Sequence, residues 1–433
     1  MLDAKAPYID KKIWVVIILA FLPILIFRDF TPANEGRYLI IADEAIRSGN
    51  FISFTLHGEP YADKPLFYLW LVMLCRWLSG GHYMILLSLL SFIPACSITA
   101  IMLSWTNNLF SEQNRKTATL MLMTTAYFAA AALVVRMDML MVLFMVLAFR
   151  SFWLIMKQEC KLPREQWLFG LWLFMALFTK GPLGLLIPLV ATMAWLVWKR
   201  QWKLLGTAWG WRTWLVLFVG CSMWFGMTYH EAGIDYLNNL LFHQTVDRAV
   251  DSFHHEQPFY YYLVSMWYEW LPWSLFAVGG MVMIWIRKIR LHEMMQYFLC
   301  IVLSSMVLLS VISSKLQIYL LPVFPFLIFL CVYLLEQFKS ESWVRWSLGI
   351  IQIPLILVFP ALLFLRTKPS FTFLNTPLVM VAAIAMSAIS AMALYQLIYK
   401  KDVIHSVHLV AYAVLSTLFF AGLAMPQLNG IIQ

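Results

Sequence analysis

Charge is scarce in this chain: Asp, Glu, Lys and Arg together make up 12% of its 433 residues, about half of the roughly 25% usual in soluble domains. So little charge cannot cover a water-facing surface, which excludes an ordinary soluble fold. The six cysteines (Cys75, Cys96, Cys160, Cys221, Cys300 and Cys331) are scattered, five of them within apolar runs. They lack the paired spacing of a disulfide framework or a zinc knuckle. No internal repeat and no low-complexity tract is present, which removes solenoids and repetitive arrays from consideration. No soluble domain is expected at either end, so residues 1–433 read as a single integral membrane domain. Acid is scarcer than base, 22 residues against 31, for a formal net charge of +9. The basic residues sit mostly in short loops between apolar runs, where they orient helices, so no nucleic-acid partner is implied.

What the chain has in quantity is apolar sequence, 62% of its positions. Runs of about 17 to 24 residues recur from Ile13 to Pro426, each long enough for a hydrocarbon core roughly 30 Å thick. They lack the alternation of barrel strands, and in lipid only a helix satisfies its own backbone polar groups over such a run. The expected fold is therefore all-α and polytopic. About thirteen spans are predicted on the 17- to 25-residue criterion, near 13–28, 83–105, 118–135, 138–156, 167–180, 182–198 and 213–229. The rest fall near 260–286, 296–313, 317–335, 345–365, 377–399 and 407–425.

The first run follows Lys5, Lys11 and Lys12 without a small-residue cleavage site, which predicts a retained first helix with a cytoplasmic amino end. The segment Pro65 to Ser79 is apolar but only roughly 22 Å long as a helix. If it crossed, the basic loops at Arg115-Lys116, Lys157 to Arg164, Lys199 to Lys203 and Arg287 to Arg290 would all face outward, against the positive-inside rule. Laid at the outer interface, it leaves all of them in the cytoplasm, together with Lys400 and Lys401. Two outward regions then result, 28–82 and 230–258, and within them residues 28–64 and 230–257 hold half of the 22 acidic residues. Ionisable groups gathered at a membrane boundary mark a functional site by default.

The first outward region carries Asn34-Glu35-Gly36-Arg37-Tyr38, then Asp43-Glu44, then Ala62-Asp63-Lys64-Pro65. A helix is predicted from about Gly36 to Ser48, with Glu35 near its positive end. At Asp63-Lys64, a carboxylate suited to a hard metal or a hydroxyl stands beside an ammonium suited to a lipid phosphate. The second region reads Phe242-His243-Gln244-Thr245-Val246-Asp247-Arg248 and continues through His254-His255-Glu256 to Tyr262. Its histidines can complete a divalent metal site with a carboxylate from elsewhere, although no dedicated metal spacing is present. Three shorter polar breaks fall outside as well: Arg136-Met137-Asp138, Thr179-Lys180-Gly181 and Ser314-Lys315 with Tyr319. Lysines at helix ends often snorkel to headgroups. Asp138 needs a partner or water, and Arg136 is the local choice.

These markers, with Leu271-Pro272-Trp273, occur in an order and spacing that resembles the protein mannosyltransferase-like GT-C glycosyltransferases, closest to the bacterial 4-amino-4-deoxy-L-arabinose transferases that modify lipid A. The resemblance covers about residues 13 to 335 and implies a GT-C-like bundle of about that many helices, with interfacial helices in the first outward loop. It implies a divalent metal (Zn, Mg or Mn) on Asp63 and His243, and a carrier-lipid phosphate held by Lys64 and Arg248, with Lys180, Lys315 and Tyr319 beside it. The family places an acidic pair at the start of the first loop, its first member proposed as the catalytic carboxylate, and Asn34 stands there in this chain. An amide cannot take a proton in that role. Either Glu35 supplies the carboxylate, or Asp138 does, or the acceptor is an anionic phosphate that needs no base.

The function so implied is inverting transfer of a sugar from a polyprenyl-phosphate donor to a lipid or protein acceptor at the periplasmic face of the inner membrane. A transporter or flippase for lipid-linked sugars is the rival reading, and it requires inverted repeats and mid-membrane charges. A scaffold without chemistry is the third.

Overall fold

The structure is a computed structural model, and it describes residues 10–158, 162–243, 257–368, 371 and 374–432. The fold is all-α and polytopic. Its only β-structure among the described residues is a small hairpin that pairs Thr55–Leu56 with Glu59–Pro60.

Seven helices among the described residues are long and apolar enough to cross a membrane: Met84–Trp105, Asp138–Lys157, Glu293–Val311, Gln317–Phe338, Ser342–Leu365, Pro377–Lys400 and Val403–Gly430. Lys11–Phe27 and Pro32–Ser48, bent by 81° at their break, count as an eighth crossing when taken together as one span. Shorter or broken helices occupy the other expected segments: Glu112–Met123 with Ala126–Ala131, Leu162–Lys180, Leu183–Trp198, Trp211–Asn238, and Tyr261–Glu269 with Ser274–Ile286. The segment after Pro65 is a 14-residue helix, Leu66–Ser79, shorter than the roughly 20 residues of a crossing.

Several threonine hydroxyls inside the helices are satisfied locally. Thr99 donates to the Ala95 carbonyl at 3.0 Å, Thr106 to Met102 at 2.8 Å and Thr228 to Trp224 at 2.9 Å. Each hydroxyl thus spends its proton on its own helix, which lets it sit where water is absent. Buried aromatics fill the middle of the bundle. Tyr297 lies 5.1 Å from the Trp195 ring and 5.4 Å from that of Trp153, centroid to centroid. Leu162–Lys180 and Leu183–Trp198 approach to backbone contact, because a Cβ on Gly184 would lie 2.4 Å from the Ala176 carbonyl. Gly181, at φ +102°, makes the turn between them, in a region that L side chains seldom enter.

The basic loops collect at one end. Lys157 pairs with Glu293, Lys199 donates to Gln296, and Arg287 pairs with Glu341 at 3.0 Å. The acidic loops collect at the other. There Arg37–Ser48 turns the apolar stripe Tyr38, Ile41, Ala42 and Ala45 inward, the i, i+3, i+4, i+7 spacing of an amphipathic helix. Its acids are taken up structurally: Asp43 binds Arg76 at 3.0 Å on Leu66–Ser79, and Glu44 accepts from Thr55 and from the His57 amide of the hairpin.

Candidate functional site between the two acidic loops

The two loops meet. Tyr236 donates its hydroxyl to the Tyr61 carbonyl at 2.7 Å and accepts the Phe54 amide at 3.1 Å, while Glu231 accepts the Ser53 amide at 3.1 Å. This stitching brings the end of the first loop against the helix Trp211–Asn238, and between them opens a cavity of about 410 Å³. One wall is polar, with Asp63, Lys64, Lys180, Ser314 and Tyr319. The other is apolar, with Leu177, Leu186, Trp224, Phe225, Leu240, Leu241 and Ile312.

On the polar wall, Lys64 Nζ lies 2.8 Å from Asp63 Oδ2, which also accepts the Tyr61 hydroxyl at 3.1 Å. Lys180 ends its helix just before the Gly181 turn, which aims it across the cavity floor. Its ammonium binds Asp138 and stands 4.7 Å from the Tyr319 ring centroid. Asp138 is 2% exposed and is held on its other side by Arg136 Nε at 3.1 Å. Among the described residues three cations (Lys64, Lys180, Arg136) thus stand with two carboxylates (Asp63, Asp138), and cations at the cavity favour an anionic ligand.

Glu35 lies elsewhere. It is 1% exposed and does not line the cavity. Its two oxygens accept from Arg28 at 2.7 and 2.8 Å, from the Thr31 amide and hydroxyl at 2.8 and 2.9 Å, and from the Val135 amide at 2.6 Å. Burial pushes this carboxyl up, but the Arg28 guanidinium and the two amides outweigh it and hold the group below its ordinary range. Asn34 is exposed on the same turn. The connection to the cavity runs through the backbone, because Val135 immediately precedes the Arg136 that binds Asp138.

The remaining expected residues divide. Lys315, 3% exposed, donates to the Gln257 carbonyl at 2.9 Å and so ties the far end of the second loop to the Ser314–Tyr319 turn. His243 closes the turn Asn239–His243, whose Leu240 and Leu241 line the cavity. Arg248 lies outside the described residues. Among the described residues no group of three or more His, Cys, Asp and Glu side chains stands together as a metal site, and Asp63 is the one carboxylate on the cavity wall.

Two participants carry no sequence signal that singles them out. Arg28 and Tyr236 sit at the ends of apolar helices, where a polar residue is ordinary. Glu269, a lone acid in an apolar segment, is fully buried and does not line the cavity.

These features define the class of the protein as an all-helical membrane bundle with a polar and apolar cavity between two loops at one end. Across 96% of this chain it superposes on the crystal structure of ArnT from Cupriavidus metallidurans bound to undecaprenyl phosphate, covering 77% of that chain with a TM-score of 0.81 at 19% identity. The profile of the dolichyl-phosphate-mannose-protein mannosyltransferase family matches residues 15–229. That match covers just under half of this chain, which resembles the protein mannosyltransferase-like proteins over that stretch. It is 27% identical over 300 residues to an undecaprenyl phosphate-alpha-4-amino-4-deoxy-L-arabinose arabinosyl transferase of Erwinia tasmaniensis, matching 67% of this chain and 53% of that one. A protein of the same name from Shewanella sediminis is 26% identical over 339 residues, 75% of this chain and 59% of the relative. The chain thus spans little more than half the length of the curated relatives it matches.

Proposed function

We propose that this chain transfers a sugar from a polyprenyl-phosphate carrier to a lipid acceptor of the lipid A type or to a protein, at the periplasmic face of the inner membrane. On this reading the amino terminus is cytoplasmic, and residues 1–433 act as one membrane domain with its site between loops 28–82 and 230–258. The carrying observation is the two-walled cavity: an apolar side open to a prenyl tail, faced by Lys64 and Lys180 at the level of a phosphate. The relatives' names, which specify undecaprenyl-phosphate-linked aminoarabinose as donor, support the same substrate class.

In the reaction an acceptor oxygen attacks the anomeric carbon from the face opposite the carrier phosphate. The new C–O bond forms as the bond to phosphate breaks, and the phosphate leaves with that electron pair, inverting the centre. The barrier lies largely in the charge growing on the leaving oxygen. Lys64 and Lys180 are fixed beside that position before the reaction, so their stabilisation requires no reorganisation. Arg248 is assigned to the same phosphate. A divalent metal fits the chemistry of this wall in part: Asp63 offers one hard oxygen ligand, and His243 is the candidate for a second. Such an ion would supply further neutralisation of the leaving phosphate.

Both candidate bases are already engaged by cations, Glu35 by Arg28 within five hydrogen bonds and Asp138 by Arg136 and Lys180. This favours the acceptor that arrives as an anionic phosphate oxygen and needs no proton removed. Incubating the purified protein with a labelled polyprenyl-phosphate aminoarabinose and a phosphorylated lipid acceptor should release free carrier and label the acceptor. Movement of the donor across a vesicle membrane without release would instead establish a flippase.

A further inference from the structure

A second cavity, about 400 Å³, lies far from the first, at the basic end of the bundle between Ser342–Ile356 and Pro377–Tyr395. Its volume falls within the roughly 300–1,000 Å³ of ordinary ligand pockets. The body of the groove is apolar, formed by Ile350, Ile353, Leu394 and Ile398. At its mouth stand two cations, Arg345 and Lys401. Neither is in an ion pair among the described residues, and no acidic residue lines the groove there. The nearest acids in sequence are engaged elsewhere: Glu341 binds Arg287 at 3.0 Å, and Asp402 accepts the His405 amide at 3.0 Å. Ser342, whose hydroxyl accepts from Arg345 at 3.4 Å, stands at the mouth as well. Trp346 is 70% exposed beside it, the kind of ring that sits at headgroup level.

We propose that this groove is a binding site for an anionic diacyl phospholipid of the leaflet at the basic end, with an acyl chain along the isoleucines and the headgroup phosphate on Arg345 and Lys401. Any lipid tail satisfies the apolar surface. The two uncompensated cations at headgroup depth select the charge, since each basic residue near the surface favours anionic lipid and neighbouring helices can build a pocket around the head. The site stands apart from the transfer reaction, so it holds whatever that reading's fate.

The test uses the full chain in mild detergent, offered equimolar phosphatidylglycerol, phosphatidylcholine and polyprenyl monophosphate, with retained lipid read by native mass spectrometry. The parent should retain phosphatidylglycerol over phosphatidylcholine by roughly tenfold, on the strength of two cations. Arg345→Ala with Lys401→Ala should abolish the preference, while Lys203→Ala with Lys288→Ala, two basic residues outside the groove, should leave it intact. Ile350→Trp, which keeps both charges and fills the apolar floor, should lower retention of both phospholipids. Equal retention of phosphatidylcholine by the parent, an unchanged preference in the Arg345/Lys401 variant, or displacement of phosphatidylglycerol by the polyprenyl phosphate would overturn the assignment.

Discussion

Lys180 stands with its ammonium 4.7 Å from the centre of the Tyr319 ring while the same nitrogen binds Asp138. One side chain thereby links the end of Leu162–Lys180, the start of Asp138–Lys157 and the turn before Phe324–Phe338. The polar wall of the cavity is a consequence of that link. Ring contact with a cation is worth about 0.5–2 kcal/mol. Tyr319→Leu should therefore lower thermal stability by at least about that amount in a detergent melt.

Asp138 carries the larger share. Removing one partner of a buried charge cluster leaves the others uncompensated and costs about 3–5 kcal/mol. Asp138→Ala should lower the melting temperature sharply or prevent accumulation in the membrane. Asp138→Asn combined with Lys180→Gln should restore much of the stability without restoring carrier release, because the phosphate has lost a cation. Recovery of release in that double variant would remove Lys180 from the site.

Lys64→Ala tests the phosphate assignment most directly. The protein should still insert and keep its fold, since Lys64 lies at the loop edge outside the bundle core. Carrier release should fall by about 10²- to 10³-fold, the usual loss on deleting one fixed donor to a developing oxyanion. Unchanged release would count against the proposed function itself.

Glu35 separates structure from catalysis through pH. Its pKa is lowered in the folded protein relative to the ordinary 4.5, so its stabilisation is fully present above about pH 4.5 and is lost as pH falls through the lower folded value. The stability difference between the parent and Glu35→Gln should be largest near neutrality, about 2 kcal/mol or more for a buried paired carboxylate, and should shrink below pH 4. A Glu35→Gln protein with parental melting behaviour at pH 7 but no transfer would restore Glu35 as the catalytic carboxylate.

Gly184→Ala addresses the scaffold behind the cavity. The added methyl would sit 2.4 Å from the Ala176 carbonyl, with no flexible atom to yield. The helices must then separate, which should cost about 1–3 kcal/mol and misplace Lys180. Reduced melting temperature together with reduced release, each rescued by a neighbouring large-to-small change such as Leu177→Ala, is the expected pair of results.

Much of this architecture follows from composition and local spacing. An apolar run long enough to cross lipid, bounded by Lys and Arg, must be helical wherever it lies, so the all-α polytopic class and the positions of the long helices were legible residue by residue. The order of short motifs was legible too, and with it the resemblance to the mannosyltransferase-like proteins. The fates of individual acids were not. Glu35 and Asp63 each stand near a helix start and look alike in sequence, yet Arg28 and the Val135 amide capture one while the other reaches the cavity wall. The Val135 amide reaches Glu35 from a hundred residues away, a distance over which no local pattern carries information. The same holds for the approach of Asp63 and Lys64 to Leu240 and Leu241, made by Tyr236 across 175 residues, and for the basic-ended groove between two late helices. Sequence determined what each segment had to be in lipid; only the tertiary structure decided which polar groups were used up in holding the segments together and which were left facing a cavity.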